Sequence, residues 1–163
     1  MVIVQKFGGT SVFGIERIQS SAKIVKQNIL AGNKIVVVVS AMAGETDKLI
    51  NLYKEACLAG IENEAEMDSI VSTGEQTCAG LFACVLNNIG IKARSFTGLG
   101  AGIITDGSYT KAKIKGIIFD EVLKAMEEGF TPVITGFQGF CIETLRQTTL
   151  GRGGSDTSAL AIA

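Results

Sequence analysis

Apolar positions along this chain change their period several times, and each change marks an element. Val2, Ile3 and Val4 open a strand. Ile15, Ile18, Ala22, Val25 and Ile29 then recur at spacings of three and four, the stripe of an amphipathic helix, with Gly32 where a C-terminal capping glycine belongs. KIVVVVS (34–40) is an unbroken β-branched run and predicts a parallel strand covered on both faces. A second helix is predicted from Asp47 to Ala59, with Leu49, Leu52, Tyr53 and Ala56 on one side. A third spans Gly74 to Asn88, with Cys78, Leu81, Phe82, Val85 and Ile89 as its stripe. KARSFTG (92–98) predicts a strand, followed by an irregular glycine-rich stretch to Gly107. A short helix, Phe119 to Glu128, runs through Val122, Leu123 and Met126 and stops at Gly129. PVITGF (132–137) predicts another buried strand, 138–150 an extended excursion or hairpin, and 151–163 a turn leading into a helix.

Strands that alternate with helices, and that are apolar on both faces, predict an α/β fold with an open, mostly parallel sheet sandwiched between helices. The 163 residues suit one domain with a sizeable core, and nothing in them marks a repeat or an internal boundary. Apolar residues are 47% and charged residues 19% of the chain, a globular composition. The net charge of −1 gives no reason to expect nucleic acid as a partner. The apolar runs are shorter than the ~18 residues of a membrane helix, so no membrane partner is expected. The N-terminus enters a strand without a charged leader, so a signal peptide is not expected and a cytoplasmic location is. The chain has no histidine, and Cys57, Cys78, Cys84 and Cys141 include no C-x-x-C pair. No zinc or other protein-held metal site is expected, and the thiols are expected to be buried and free. Catalysis that needs an imidazole base is excluded.

Against this background a few stretches carry candidate chemistry. KFGGTS (6–11) ends the first strand in a cation, a glycine pair and two hydroxyls. Glycines there let backbone N–H groups face a ligand, and Lys6 adds a point charge, a combination suited to phosphate. A plain strand-to-helix turn with an incidental lysine explains the same residues. GRGGSD (151–156) repeats the pattern around Arg152, whose guanidinium can grip a carboxylate or phosphate in bidentate fashion. Ser155 there also suits a helix N-cap. STGEQ (72–76) puts Glu75 at a helix start, either as a dipole partner or as a carboxylate aimed at a substrate ammonium. SAMAGETD (40–47) lies where ligands bind in open α/β sheets, although Thr46 could equally be a cap. GLGAG (98–102) is not followed by the helix a dinucleotide fingerprint requires, and no P-loop pattern occurs.

Taken together and in order, KFGGTS, VVVVSAMAGETD, MDSIVSTGEQ, RSFTG, GFQG and TLGRGGSDTSA resemble the aspartate kinases of the amino-acid kinase family, over essentially all 163 residues. The resemblance implies ATP- and Mg²⁺-dependent phosphorylation of the L-aspartate side-chain carboxylate, the step that opens lysine, threonine and methionine biosynthesis. It implies catalytic roles for Lys6 and Asp156, with Lys6 on the transferring phosphoryl group. Gly8, Gly9, Thr10, Ser11 and Ser40 would serve phosphate or nucleotide. Thr46, Glu75, Arg152, Gly153, Gly154 and Ser155 would hold aspartate, Glu75 through the ammonium and Arg152 through a carboxylate. A homo-oligomer is expected. In 98–110 many relatives carry an aromatic–Gln pair and a later histidine, where this chain has Leu99, Gly100 and Tyr109. Family catalytic domains continue beyond the GRGGSD helix into the part that holds adenine and ribose, and regulatory ACT domains usually follow. The expectation is therefore a substrate-side portion of a catalytic domain, truncated at its C-terminus. Alone, it is expected not to turn over ATP, to bind aspartate or phosphate weakly, and to self-associate. A kinase for another small carboxylate or amino acid is the alternative enzyme, and a non-catalytic fragment that binds an anion or partner chain is the alternative from another class.

Overall fold

The structure, a computed structural model, describes residues 1–57, 60 and 63–163. Its main sheet has the order β1 (Val2–Phe7), β2 (Lys34–Val39), β6 (Thr131–Thr135), β3 (Ala93–Phe96), and every pairing in it is parallel. Period-two alternation sends the β2 side chains to two different cores. Ile35, Val37 and Val39 join Ile18, Ala22 and Val25 of α1 (Ile15–Leu30) and Phe82 and Leu86 of α4 (Thr73–Asn88). Val36 and Val38 point the other way, to Val122 of α5 (Asp120–Glu127) and Ile134 of β6. All five β2 side chains from Ile35 to Val39 are buried. Complete burial of one such side chain is worth about 1.5–3 kcal/mol, which is why this run anchors the domain. Phe7 and Phe82 meet at 5.3 Å between ring centroids, tying β1 to α4.

A second, mixed sheet has the order β5 (Ile114–Ile117), β4 (Ile103–Thr105), β7 (Gln138–Cys141), β8 (Arg146–Thr149). The hairpin expected over 138–150 is β7 and β8, paired antiparallel. Gln138 is fully buried and joins this sheet to the helical layer. Its Nε2 donates to the Ser72 carbonyl at 3.0 Å, and its Oε1 accepts from Gln147.

Several sequence expectations need correction. The stretch before Gly107 is not wholly irregular, because Ile103–Thr105 pairs with β5 and β7. A helix, α3 (Glu64–Val71), stands where none is predicted; Asn63 caps it by accepting from the Glu66 N–H. The second helix, α2 (Glu45–Ala56), begins two residues early and turns Leu52 and Ala56 to solvent, burying Tyr53. Leu58 and Ala59, the predicted end of that helix, lie outside the described residues. Ile15 and Leu123 are half exposed, because each sits at the margin of its helix stripe. All four cysteines are free, but only Cys78 and Cys141 are buried; Cys84 projects from α4 into solvent. Among the described residues no helix is long and apolar enough to cross a membrane.

Candidate active site

Parallel packing brings the carboxyl ends of β1, β2 and β6 to one edge of the sheet, where the N-termini of α2, α4 and α6 (Gly154–Ile162) also arrive. Open α/β sheets bind ligands at such an edge. A cleft of about 240 Å³ lies there, and Lys6, Ser40, Thr46, Glu75, Arg152, Gly153, Gly154, Ser155 and Asp156 all line it. Residues separated by up to about 150 positions thus converge in one cavity. Gly8, Gly9, Thr10 and Ser11 are not part of its wall. They form the turn directly behind Lys6, where Gly9–Val12 makes a single 3₁₀ turn. A Cβ on Gly8 would lie 3.3 Å from the Lys6 ammonium, so this backbone passes close beside the charge.

The alternative readings of two hydroxyls as helix caps do not hold. Gly44 and Gly153, both in the left-handed region, occupy the cap positions of α2 and α6. Thr46 and Ser155 therefore sit inside their first helical turns, and both line the cleft. Ser155 reaches it because α6 packs directly on Gly136. A Cβ there would meet Ser155 Oγ at 2.8 Å, so only glycine lets the helix approach so near.

The charges are arranged unevenly. Lys6 Nζ lies 2.9 Å from Asp156 Oδ1, an ion pair whose carboxylate is 68% exposed. Arg152 is exposed and has no carboxylate partner among the described residues. Glu75 is only 3% exposed. Its Oε1 accepts from the Ala41 N–H at 3.0 Å, while the buried Oε2 has no partner among the described residues. Burial pushes the Glu75 carboxyl up to about 7, against smaller opposing effects from the N–H groups of Ala41 and of Glu75 itself. Glu75 is thus a polar atom aimed into the cleft and short of one counter-group. Burial likewise pushes the neighbouring Cys78 thiol up to about 12, so it is an inert core group.

The Glu75 shift has a consequence for stability. The folded state holds a proton on this carboxyl between its ordinary value of 4.5 and about 7, where the unfolded chain does not. Stability from Glu75 is therefore full below about pH 4.5 and is lost as pH rises through about 7, by about 3 kcal/mol in all. Glu75→Gln, neutral at every pH, is expected to melt at a higher temperature than the parent chain at pH 8, with the difference vanishing near pH 4. Paired thermal melts across this range measure it.

Three further wall residues, Ala41, Phe137 and Gly151, carried no role in the sequence reading. The Ala41 N–H holds Glu75, and Phe137 lines the cleft with φ of 68°. The Phe137 N–H donates to Ser158 Oγ at 3.1 Å, and its carbonyl accepts from the Leu150 N–H at 2.8 Å. GFQG marked the segment, but a bulky residue in the left-handed region has no sequence signal.

The Amino acid kinase family model matches residues 1–163. An aspartokinase of Geobacillus stearothermophilus is 48% identical over 162 residues, covering 99% of this chain and 39% of that protein. The crystal structure of an aspartate kinase from Synechocystis matches with a TM-score of 0.81 at 43% identity, covering all of this chain and 26% of that one. E. coli aspartokinase III, solved in complex with aspartate and ADP, matches with a TM-score of 0.84 at 26% identity, covering 98% of this chain and 47% of that one. The chain spans about two-fifths of the length of the curated relatives it matches.

Proposed function

Because this chain belongs to the amino acid kinase family, we propose that its cleft is the acceptor side of an aspartate kinase, transferring phosphate from ATP to the side-chain carboxylate of L-aspartate in the cytoplasm. One observation carries the reading. A buried carboxylate, Glu75, shares a small cavity with the guanidinium of Arg152 and the ammonium of Lys6, and among the described residues Glu75 Oε2 has no hydrogen-bond partner and Arg152 no carboxylate. An α-amino acid offers the ammonium and carboxylate that this set lacks. The volume, about 240 Å³, is below the usual range for drug-sized ligands and suits a small molecule.

The chemistry needs no imidazole. The acceptor carboxylate, with an ordinary value near ~4, is already ionised at neutral pH. One of its oxygens forms the new bond to the γ-phosphorus of ATP, and the bond from that phosphorus to the ADP oxygen breaks. No proton has to move. The barrier is repulsion between two anions, and Lys6 sits where it can neutralise the charge that builds on the transferring group. Asp156 holds the Lys6 ammonium at 2.9 Å and so fixes its position. Thr46 and Ser155 add hydroxyl donors, and Ser40, just past the end of β2 on the cleft wall, would serve the nucleotide. No cluster of three or more acidic or thiol side chains gathers among the described residues, so Mg²⁺ would come in on the nucleotide phosphates. Asp156 is the exposed carboxylate of the cleft that suits it, and the ion would spread the phosphate charge.

Arg152→Lys in a full-length kinase carrying these residues tests the reading. Loss of a charge-assisted bidentate partner costs about 1.5–3 kcal/mol. Aspartate affinity is expected to fall roughly tenfold to a hundredfold, with ATP affinity unchanged. Calorimetric titration with each ligand separates the cases. Equal losses for both would mean that Arg152 shapes the whole cleft and does not read the acceptor.

A further inference from the structure

We propose that Asp68 is a positioning residue for Arg152, acting through the threonines that flank the Gly151–Arg152 turn. Asp68 lies on α3, outside the cleft wall, and is fully buried. A buried carboxylate in a short helix is costly unless its oxygens are filled, and here both are. The Thr149 N–H and Thr149 Oγ1 each donate to it at 2.7 Å. The Thr110 N–H donates to both oxygens, at 3.0 and 3.1 Å.

These two threonines come from different segments, and both border the turn. Thr149 ends β8, two residues before Gly151. Thr110 is held in the left-handed region, with φ of 64°. Its carbonyl comes so near Gly151 that a Cβ there would lie 3.0 Å away. Gly151 itself has φ of 77° and accepts from the Gly154 N–H at 3.0 Å, closing the turn that presents Arg152. The 110 and 149 segments are also joined directly, the Ala112 N–H donating to the Thr149 carbonyl at 2.8 Å. One carboxylate therefore ties two backbones against the turn.

A second cavity of about 380 Å³ adjoins the first, lined by Ile50, Met67 and Val71 and sharing Gly151 and Arg152 with it. With open space behind the guanidinium, its place is set by the hydrogen-bonded backbone that Asp68 fixes. A positively charged side chain on a short loop otherwise samples many rotamers, and ordering it would lower substrate affinity.

The inference rests on Arg152 being the acceptor-carboxylate ligand, and its test separates the two. In a full-length kinase, Asp68→Asn keeps the size of the side chain but leaves one acceptor oxygen in place of two, removes the charge, and turns an amide NH₂ toward Thr149 Oγ1 and the Thr110 N–H. The KM for aspartate is expected to rise about tenfold, with kcat and the KM for ATP within twofold of the parent. On an Arg152→Lys background the same change is expected to add less than twofold. Amide exchange in 108–112 and 147–154 is expected to quicken at least tenfold, with α1 unaltered. Equal quickening in α1 would make Asp68 a general fold element and overturn the proposal, as would undisturbed exchange in 147–154. A full multiplicative effect on the Arg152→Lys background would do the same. If Arg152→Lys leaves the KM for aspartate unchanged, the acceptor reading fails by itself, and the exchange pattern still decides whether Asp68 holds the turn. Thr149→Val removes one contact only, and carries the same tests at about threefold should Asp68→Asn not fold.

Discussion

Lys6→Ala in a full-length kinase carrying these residues is expected to lower kcat by about a hundredfold or more, with folding nearly unchanged. Removal of a single group that stabilises developing charge in a water-poor site typically costs 10²–10³ in kcat. The parallel pairing of β1 with β2 brings the Lys6 ammonium to the cleft that Ser40 also lines. Its partner Asp156 is 68% exposed, so losing the ion pair leaves no buried charge behind and little stability is at stake. Steady-state rates with saturating aspartate and ATP, together with a thermal melt, check both halves. A variant that turns over at near the parent rate removes Lys6 from the mechanism. A variant that melts far lower removes the assumption that its role is chemical.

Glu75→Gln is expected to weaken aspartate binding roughly tenfold to a hundredfold and to leave ATP binding unaltered, because an amide cannot replace a carboxylate opposite an ammonium. The parent chain carries a pH signature that the variant lacks. With its carboxyl pushed up to about 7 by burial, Glu75 is largely protonated in the empty site at pH 6 and largely ionised at pH 8. Only the ionised form pairs with an ammonium. The KM for aspartate is therefore expected to fall as pH rises from 6 to 8 in the parent, and to stay flat over that range in Glu75→Gln. An ammonium bound at Oε2 also draws the proton off, so binding near pH 7 releases protons, which titrations in two buffers of different ionisation enthalpy detect. A flat profile in the parent would mean that Glu75 does not meet the substrate.

Much of this site was legible in the sequence because its residues sit at element boundaries that periodicity marks well. The Ile35–Val39 run fixed the centre of the sheet, and the glycines around Lys6 and Arg152 stood at the ends of strands. What escaped has physical causes. α3 hides because the residue it buries most completely is Asp68, which a hydrophobic stripe counts as solvent-facing. β4 is three residues long and is held by pairing with β5 and, through Ile104, with Phe140 of β7, partners that lie outside its own stretch, so local propensity could not find it. The starts of α2 and α6 shifted because left-handed glycines, Gly44 and Gly153, cap them in place of a hydroxyl residue. That shift bears on function, since it leaves Thr46 and Ser155 available to a ligand. The role of Ala41 is carried by its backbone, and no side-chain pattern records it.

The central claim, that this cleft orients the side-chain carboxylate of aspartate for phosphorylation, is tested most directly by trapping the product. A full-length kinase carrying these residues would be supplied with MgATP and hydroxylamine and offered L-aspartate, L-glutamate, acetate or carbamate in turn. The account predicts aspartyl hydroxamate from L-aspartate at rates far above the other acceptors, abolished in step by Lys6→Ala and weakened in KM by Arg152→Lys. Turnover of another acceptor with none of aspartate, from a preparation free of contaminating kinase, would contradict it.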